Sequence, residues 1–170
     1  MVTGRAAARG REAREDQGMF DTTQCSVETV TRQPTAAIKG DVPYARMRQA
    51  HQDARAKLLA ALPELNAGTT GLFVTRTGMP TKTGLYMEIG LAVSRDFSPL
   101  GDIVPSELPA GQAAHLHLVG PFDQLPQAWP FLMTWAEGQG LKPAGVNWEI
   151  YGETAADPAK QVTDLYMLLA

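Results

Sequence analysis

Two strand-like stretches each set a tyrosine beside a carboxylate. In GVNWEIYGE, residues 145–153, Glu149 stands between Trp148 and Ile150, and Tyr151 follows. In GLYMEIG, residues 84–90, Tyr86 and Glu88 alternate with Leu85, Met87 and Ile89. Successive side chains of an extended chain point to opposite faces. Trp148 and Ile150 therefore share one face, and Glu149 and Tyr151 the other. Leu85, Met87 and Ile89 are likewise set against Tyr86 and Glu88. Each stretch predicts an apolar face suited to packing under a helix and an opposite face carrying Tyr plus Glu. Tyr166 adds a third ring, because LYM at 85–87 recurs at 165–167. A groove lined by these faces would hold three tyrosines and two carboxylates. Aromatic walls bind flat apolar bodies, and ring faces attract cations. A carboxylate there loses hydration, so its proton affinity rises unless a cation or hydrogen bonds compensate. Such a site would bind a planar cation or supply a general acid or base. The alternative is the wet outer face of a sheet. Spacing alone does not separate the two.

Other residues offer less. His115 and His117 are two apart on a strand and could share a metal, but no third ligand stands near them in sequence. We expect a solvent-facing or groove-edge pair, with no metal and no cofactor. His51 falls among charged neighbours on a helix and is expected in water. Trp129 and Trp135 fit core packing, and Trp148 fits either the core or a wall of the groove. Cys25 has no partner for an internal disulfide or a sulfur-based metal site, which fits a reducing, cytoplasmic setting. There is no glycine-rich phosphate loop and no nucleophile elbow.

The elements that must position these residues come in two copies. PTAAIKGDVPYARMRQA, residues 34–50, aligns without gaps on QAAHLHLVGPFDQLPQA, residues 112–128. Ala36 falls on Ala114, Ile38 on Leu116, Pro43 on Pro121 and Tyr44 on Phe122. Ordered matches of this kind imply an internal duplication. Each unit, about 25–95 and 110–170, reads as strand, helix, strand, strand. VETVTRQPTAAIKG has strand character, and the helix that follows repeats apolar residues at Met47, Ala50, Ala54, Leu58 and Leu62. Pro63 is expected to end it. RDFSPLGDIVPSELPAG, rich in Pro and Gly and without a period, reads as a link. The second helix carries Leu125, Ala128, Trp129, Leu132, Trp135 and Ala136 on its buried stripe; Pro130 should kink it or shift its start, and Gly138 and Gly140 should stop it. The predicted fold class is α+β: duplicated strand-helix-strand-strand units with pseudo-twofold symmetry, antiparallel sheets, two main helices and a central groove.

With 170 residues the chain is the size of one domain, and its 44% apolar and 19% charged residues are an ordinary globular balance. A net charge of −3 without a basic cluster argues against nucleic acid as a partner. No apolar run is long enough to span a membrane. Residues 1–24, opening on an Arg-, Ala- and Gly-rich stretch, are expected to be a flexible tail, with folded sequence from 25 to 170. Composition leaves monomer and homodimer both open.

Residues 120–170 resemble the C-terminal half of GyrI-like small-molecule-binding domains, which also serve as effector-binding modules of AraC-type and MerR-type regulators. The likeness rests on Gly120-Pro121-Phe122, Trp129, Gly140-Leu141, Glu149-Ile150-Tyr151, Asp157-Pro158 and Asp164-Leu165-Tyr166, in that order. It extends more weakly over 25–119. The resemblance implies a central pocket into which Glu149 reaches toward a cationic or polar ligand. We count Tyr151, Tyr86, Glu88, Tyr166, Trp148, Phe122 and Tyr44 among the expected ligand-facing residues. Phe122 stands where the family has Tyr, so a hydroxyl is missing at the rim. The leading segment is too short and polar for a DNA-binding helix pair, so a stand-alone member is expected. The implied function is binding of a hydrophobic, aromatic or cationic small molecule. One alternative is a hydrolase that opens a strained cyclopropane ring of a DNA-alkylating natural product, with Glu149 and Tyr151 catalytic. Another is a protein interaction like that of family members that inhibit gyrase.

Overall fold

The computed structural model describes residues 19–170; of the expected tail, residues 1–18 lie outside them. Among the described residues Phe20 already packs on the core, its ring 5.4 Å from that of Phe131. Asp21 and Gln24 then form a reciprocal capping box around a single 3-10 turn.

The elements in chain order are β1 (Cys25–Val30), β2 (Gln33–Pro43), α1 (Met47–Leu65), β3 (Phe73–Pro80), β4 (Gly84–Ala92), β5 (Ile103–Leu108), β6 (Gly111–Val119), α2 (Leu125–Gly138), β7 (Pro143–Tyr151) and β8 (Val162–Leu169). All eight strands form one antiparallel sheet in the order β1-β6-β8-β7-β3-β4-β2-β5. Exchanging β1–β4 with β5–β8 reverses that order and leaves it unchanged. This is the expected pseudo-twofold, with its axis between β3 and β7.

The unit itself differs from expectation. It is strand-strand-helix-strand-strand, and the first strand of each unit pairs with the other unit. VETVTRQPTAAIKG divides after Val30, and the supposed link contains β5. Pro105 hid β5. A proline cannot donate to a ladder, but β5 is an edge strand and tolerates one. Only two residues separate β1 from β2, which lie toward opposite ends of the sheet order, and two separate β5 from β6. Two residues span at most about 10 Å from strand to strand. The sheet must therefore curl until its ends approach. Val30 and Leu108, from the two edge strands, accordingly pack with Trp148 and Val74 from its centre.

Both helices cover the same face. Leu58 of α1 packs on Ala36, Leu91, Val93 and Ile103. Leu132 of α2 packs on Leu116, Leu118, Leu165 and Met167. Each fully buried leucine contributes about 1.5–3 kcal/mol. α1 continues through Pro63 to Leu65, so the expected stop is two residues early. Pro63 sits in the last turn, where it forfeits one bond to the carbonyl four residues back. The chain turns out at Asn66, with φ 48°, whose N–H closes on the Leu62 carbonyl. α2 keeps Pro130 within it and ends at Gly138, as its glycines predicted.

Candidate functional site

Directly paired residues share a face of the sheet, so the register can be read across all eight strands. One row runs Cys25, Leu116, Leu165, Glu149, Thr75, Ile89, Ile38, Ile103. It lies on the face that carries the helices. The row is apolar except at Glu149 and Thr75, which oppose each other at the pseudo-twofold. α1 packs over β2 and β4, and α2 over β6 and β8, so β3 and β7 floor the seam between the helices.

Glu149 is buried, with 8% of its surface exposed, and Thr75 has none. The Trp129 indole N–H, from α2, donates to Glu149 Oε1 at 2.7 Å. The Tyr151 hydroxyl donates to Oε2 in a short contact, and its oxygen lies 3.0 Å from Thr75 Oγ1. Burial pushes the Glu149 carboxyl above its ordinary value of 4.5, against the opposing pull of those two donors. Burial and the neighbouring carboxylate push the Tyr151 phenol well above 10.0. Among the described residues no Lys, Arg or His pairs with Glu149.

The walls come from both halves. Arg55 of α1 sits over the Tyr151 and Phe73 rings, 4.8 Å from each centroid, and its buried Nε has no hydrogen-bond partner among the described residues. Phe122 meets Tyr151 edge-on at 5.8 Å, and His51 does so at 6.0 Å. His51 was expected in water. Burial, with Arg55 beside it, holds its imidazole down at about 4, so it stays neutral. Surface cavities of about 480 and about 180 Å³ lie elsewhere, against Lys57 and Asp102 and against Arg46 and Asp53.

The residues expected around a single groove fall on opposite faces of the sheet. Trp148 and Ile150 were expected under a helix, but they point to the helix-free face, with Tyr86, Glu88 and Tyr166. The reason is register. Glu149 pairs with Thr75, and Thr75 with Ile89, so Glu88, one residue from Ile89, must point the other way. A second row on that face runs Ser26, His115, Tyr166, Trp148, Arg76, Glu88, Lys39. Glu88 meets Lys39 at 3.6 Å, Arg76 at 3.9 Å and the Ser106 hydroxyl in a short bond. The Tyr86 hydroxyl lies 3.4 Å from Glu88. Trp148 is 1% exposed and stacks on Tyr166 at 5.3 Å. The Tyr44 hydroxyl donates to the Thr81 carbonyl at 2.9 Å.

Trp129, Thr75, Arg55 and His51 were not anticipated at the site. A buried indole needs a partner for its N–H, which was the available signal for Trp129. His51 and Arg55, one helical turn apart, also share a side of α1. The third group absent from the sequence neighbourhood of His115 and His117 is Asp164, brought in by β8. Cys25 is half-buried, its thiol pushed up to about 11 by burial. No helix among the described residues is long and apolar enough to cross a membrane.

The chain belongs to the GyrI-like family: residues 23–170 match the GyrI-like small molecule binding domain. Several solved structures share the fold. The EcmrR C-terminal domain superposes with a TM-score of 0.67 at 18% identity, over 86% of this chain and 97% of that one. EcmrR in its complex with DNA gives 0.73 at 19% identity over 86% of this chain, which spans only 57% of the length of that protein. SAV2435 bound to tetraphenylphosphonium gives 0.61 at 11% identity, over 86% and 93% of the two chains. A hydrolase encoded by lin2189 from Listeria innocua gives 0.54 at 15% identity, over 86% and 92%. Comparison with curated proteins yields no match.

Proposed function

We propose that this small-molecule-binding domain takes an aromatic or lipophilic cation in the seam between α1 and α2, with Glu149 as its counter-charge. One observation carries the reading: a buried carboxyl, held by two neutral donors, has no cationic partner among the described residues. Its burial is costly unless an opposite charge arrives. Trp129, Tyr151 and Phe122 supply ring faces and edges around it. Phe122, 44% exposed, stands at the rim and is the side chain that a ligand would displace. Binding of tetraphenylphosphonium by a structural neighbour is consistent with this chemistry. The test compares tetraphenylphosphonium with neutral triphenylphosphine oxide by calorimetry. Glu149→Gln should weaken the cation about ten- to hundredfold, the worth of a charge-assisted contact, and leave the oxide nearly unchanged. Equal weakening of both would remove the charge role.

The raised proton affinity of Glu149 and the adjoining Tyr151 hydroxyl favour a second reading, a hydrolase of strained cyclopropanes. Glu149 would take a proton from water as the water oxygen bonds to a ring carbon. The ring C–C bond breaks, its electron pair moves to a conjugated carbonyl oxygen, and a hydrogen bond from Tyr151 stabilises the charge gained there. Mass spectrometry of such a substrate after long incubation should find a product heavier by one water. Stabilisation of the protein without that product leaves binding alone.

A further inference from the structure

We propose that His115, His117 and Asp164 form a site for a divalent transition-metal ion of the zinc class on the helix-free face of the sheet. His115 and His117 project side by side from β6, and Asp164 lies directly across from His117 on β8. His115 Nε2 is 2.8 Å from Asp164 Oδ1, and His117 Nδ1 is 2.7 Å from the same oxygen. One ligand atom from each residue falls within 4.8 Å of the other two. A small outward rotation of the side chains would open this cluster enough to seat an ion at about 2.0–2.2 Å from two imidazole nitrogens and a carboxylate oxygen.

The surroundings of His115 point the same way. Its other nitrogen, Nδ1, lies 2.8 Å from Glu28 Oε1 and 3.2 Å from Ser26 Oγ. A neutral imidazole has one N–H and cannot donate to carboxylates on both sides. With a metal on Nε2, the single N–H goes to Glu28, the carboxylate–histidine–metal arrangement that fixes ring orientation. The ring is held further by stacking on Tyr166 at 4.6 Å, so His115 is preorganised and 8% exposed. His117 is 50% exposed in its side chain, which leaves the ion an entry path and room for water or a ligand atom. Two histidines and one carboxylate suit zinc, cobalt or iron(II) in preference to calcium or magnesium. The site is on the face opposite Glu149 and stands or falls independently of it.

The test is titration of the full chain with Co²⁺, followed by visible absorption and calorimetry, with Zn²⁺ as competitor. We expect one equivalent of Co²⁺ to give d–d bands that Zn²⁺ abolishes. His117→Ala, at an exposed position that does not threaten folding, and Asp164→Asn should each lose the bands. Glu28→Gln should weaken the affinity about ten- to hundredfold. His51→Ala, which removes the remaining histidine, should leave it unchanged. No bands at one equivalent, or bands that survive His117→Ala, would overturn the assignment and leave the three residues a hydrogen-bonded cluster.

Discussion

Glu149 and Glu88 are equally buried, at 8% and 7% exposure, yet they live in opposite electrostatic surroundings. Glu88 faces Lys39, Arg76 and Ser106, so its charge is balanced within the protein. Among the described residues Glu149 faces an indole, a phenol and a threonine, and no cation. Burial alone therefore does not distinguish the two; on the proposed reading it is the unanswered charge that marks Glu149 for a cation. The duplication sharpens the contrast. By register Glu88 corresponds to Asp164, each opposite a basic side chain, Lys39 or His117. The counterpart of Glu149 is Thr75. One unit has a small neutral residue at the axis, and the other has an acid there.

The strongest way to erase this contrast is to give Glu149 a cation of its own. Phe122→Lys should place an ammonium at the rim of the site. Affinity for tetraphenylphosphonium should fall about a hundredfold, the scale of a lost charge-assisted contact, and proton affinity of the carboxyl should drop. Unchanged calorimetric affinity would contradict the charge argument.

Tyr151→Phe removes the donor to Glu149 Oε2. Chemical denaturation should register a loss of about 1–3 kcal/mol, the usual cost of an unsatisfied buried polar group.

The pH dependence separates the two glutamates without a ligand. Folding raises the proton affinity of Glu149, so its contribution to stability is full at low pH and is lost as pH rises through the raised value. Glutamine stays neutral throughout. Its amide can still accept from Trp129, and Tyr151 can turn its proton toward Thr75 and accept from the amide. Glu149→Gln should therefore melt higher than the parent at pH 8, with the advantage shrinking toward pH 4.5. Glu88→Gln should instead cost up to about 1 kcal/mol at pH 8, because it leaves Lys39 and Arg76 without their partner across partly exposed ion pairs. Melting curves of both variants across pH decide between these opposite signs.

Much of the fold was legible because the repeat is carried by packing residues. Ala36, Ile38, Ala114 and Leu116 keep their spacing to the helices that cover them. The first strand of each unit was not legible, since β1 and β5 gain their ladders only from the other half of the molecule. Of the site, Glu149, Tyr151 and Phe122 stood out in sequence. The face of Glu149 and Tyr151 was misjudged because GLYMEIG and NWEIYG look alike, whereas β4 corresponds to β8 and β7 to β3. The LYM repeat misled in the same way, for the register sets Tyr166 opposite His115 as Gly90 is set opposite Ala37. Trp129 and Asp164 enter by contacts distant in sequence that no local period encodes.

The most direct measurement is the titration of the Glu149 side-chain carboxyl by carbon-13 NMR, with Glu149→Gln to assign the resonance. The account predicts a midpoint above 4.5 in the free protein that moves down when tetraphenylphosphonium is bound. A midpoint at or below 4.5, unmoved by the cation, would contradict it.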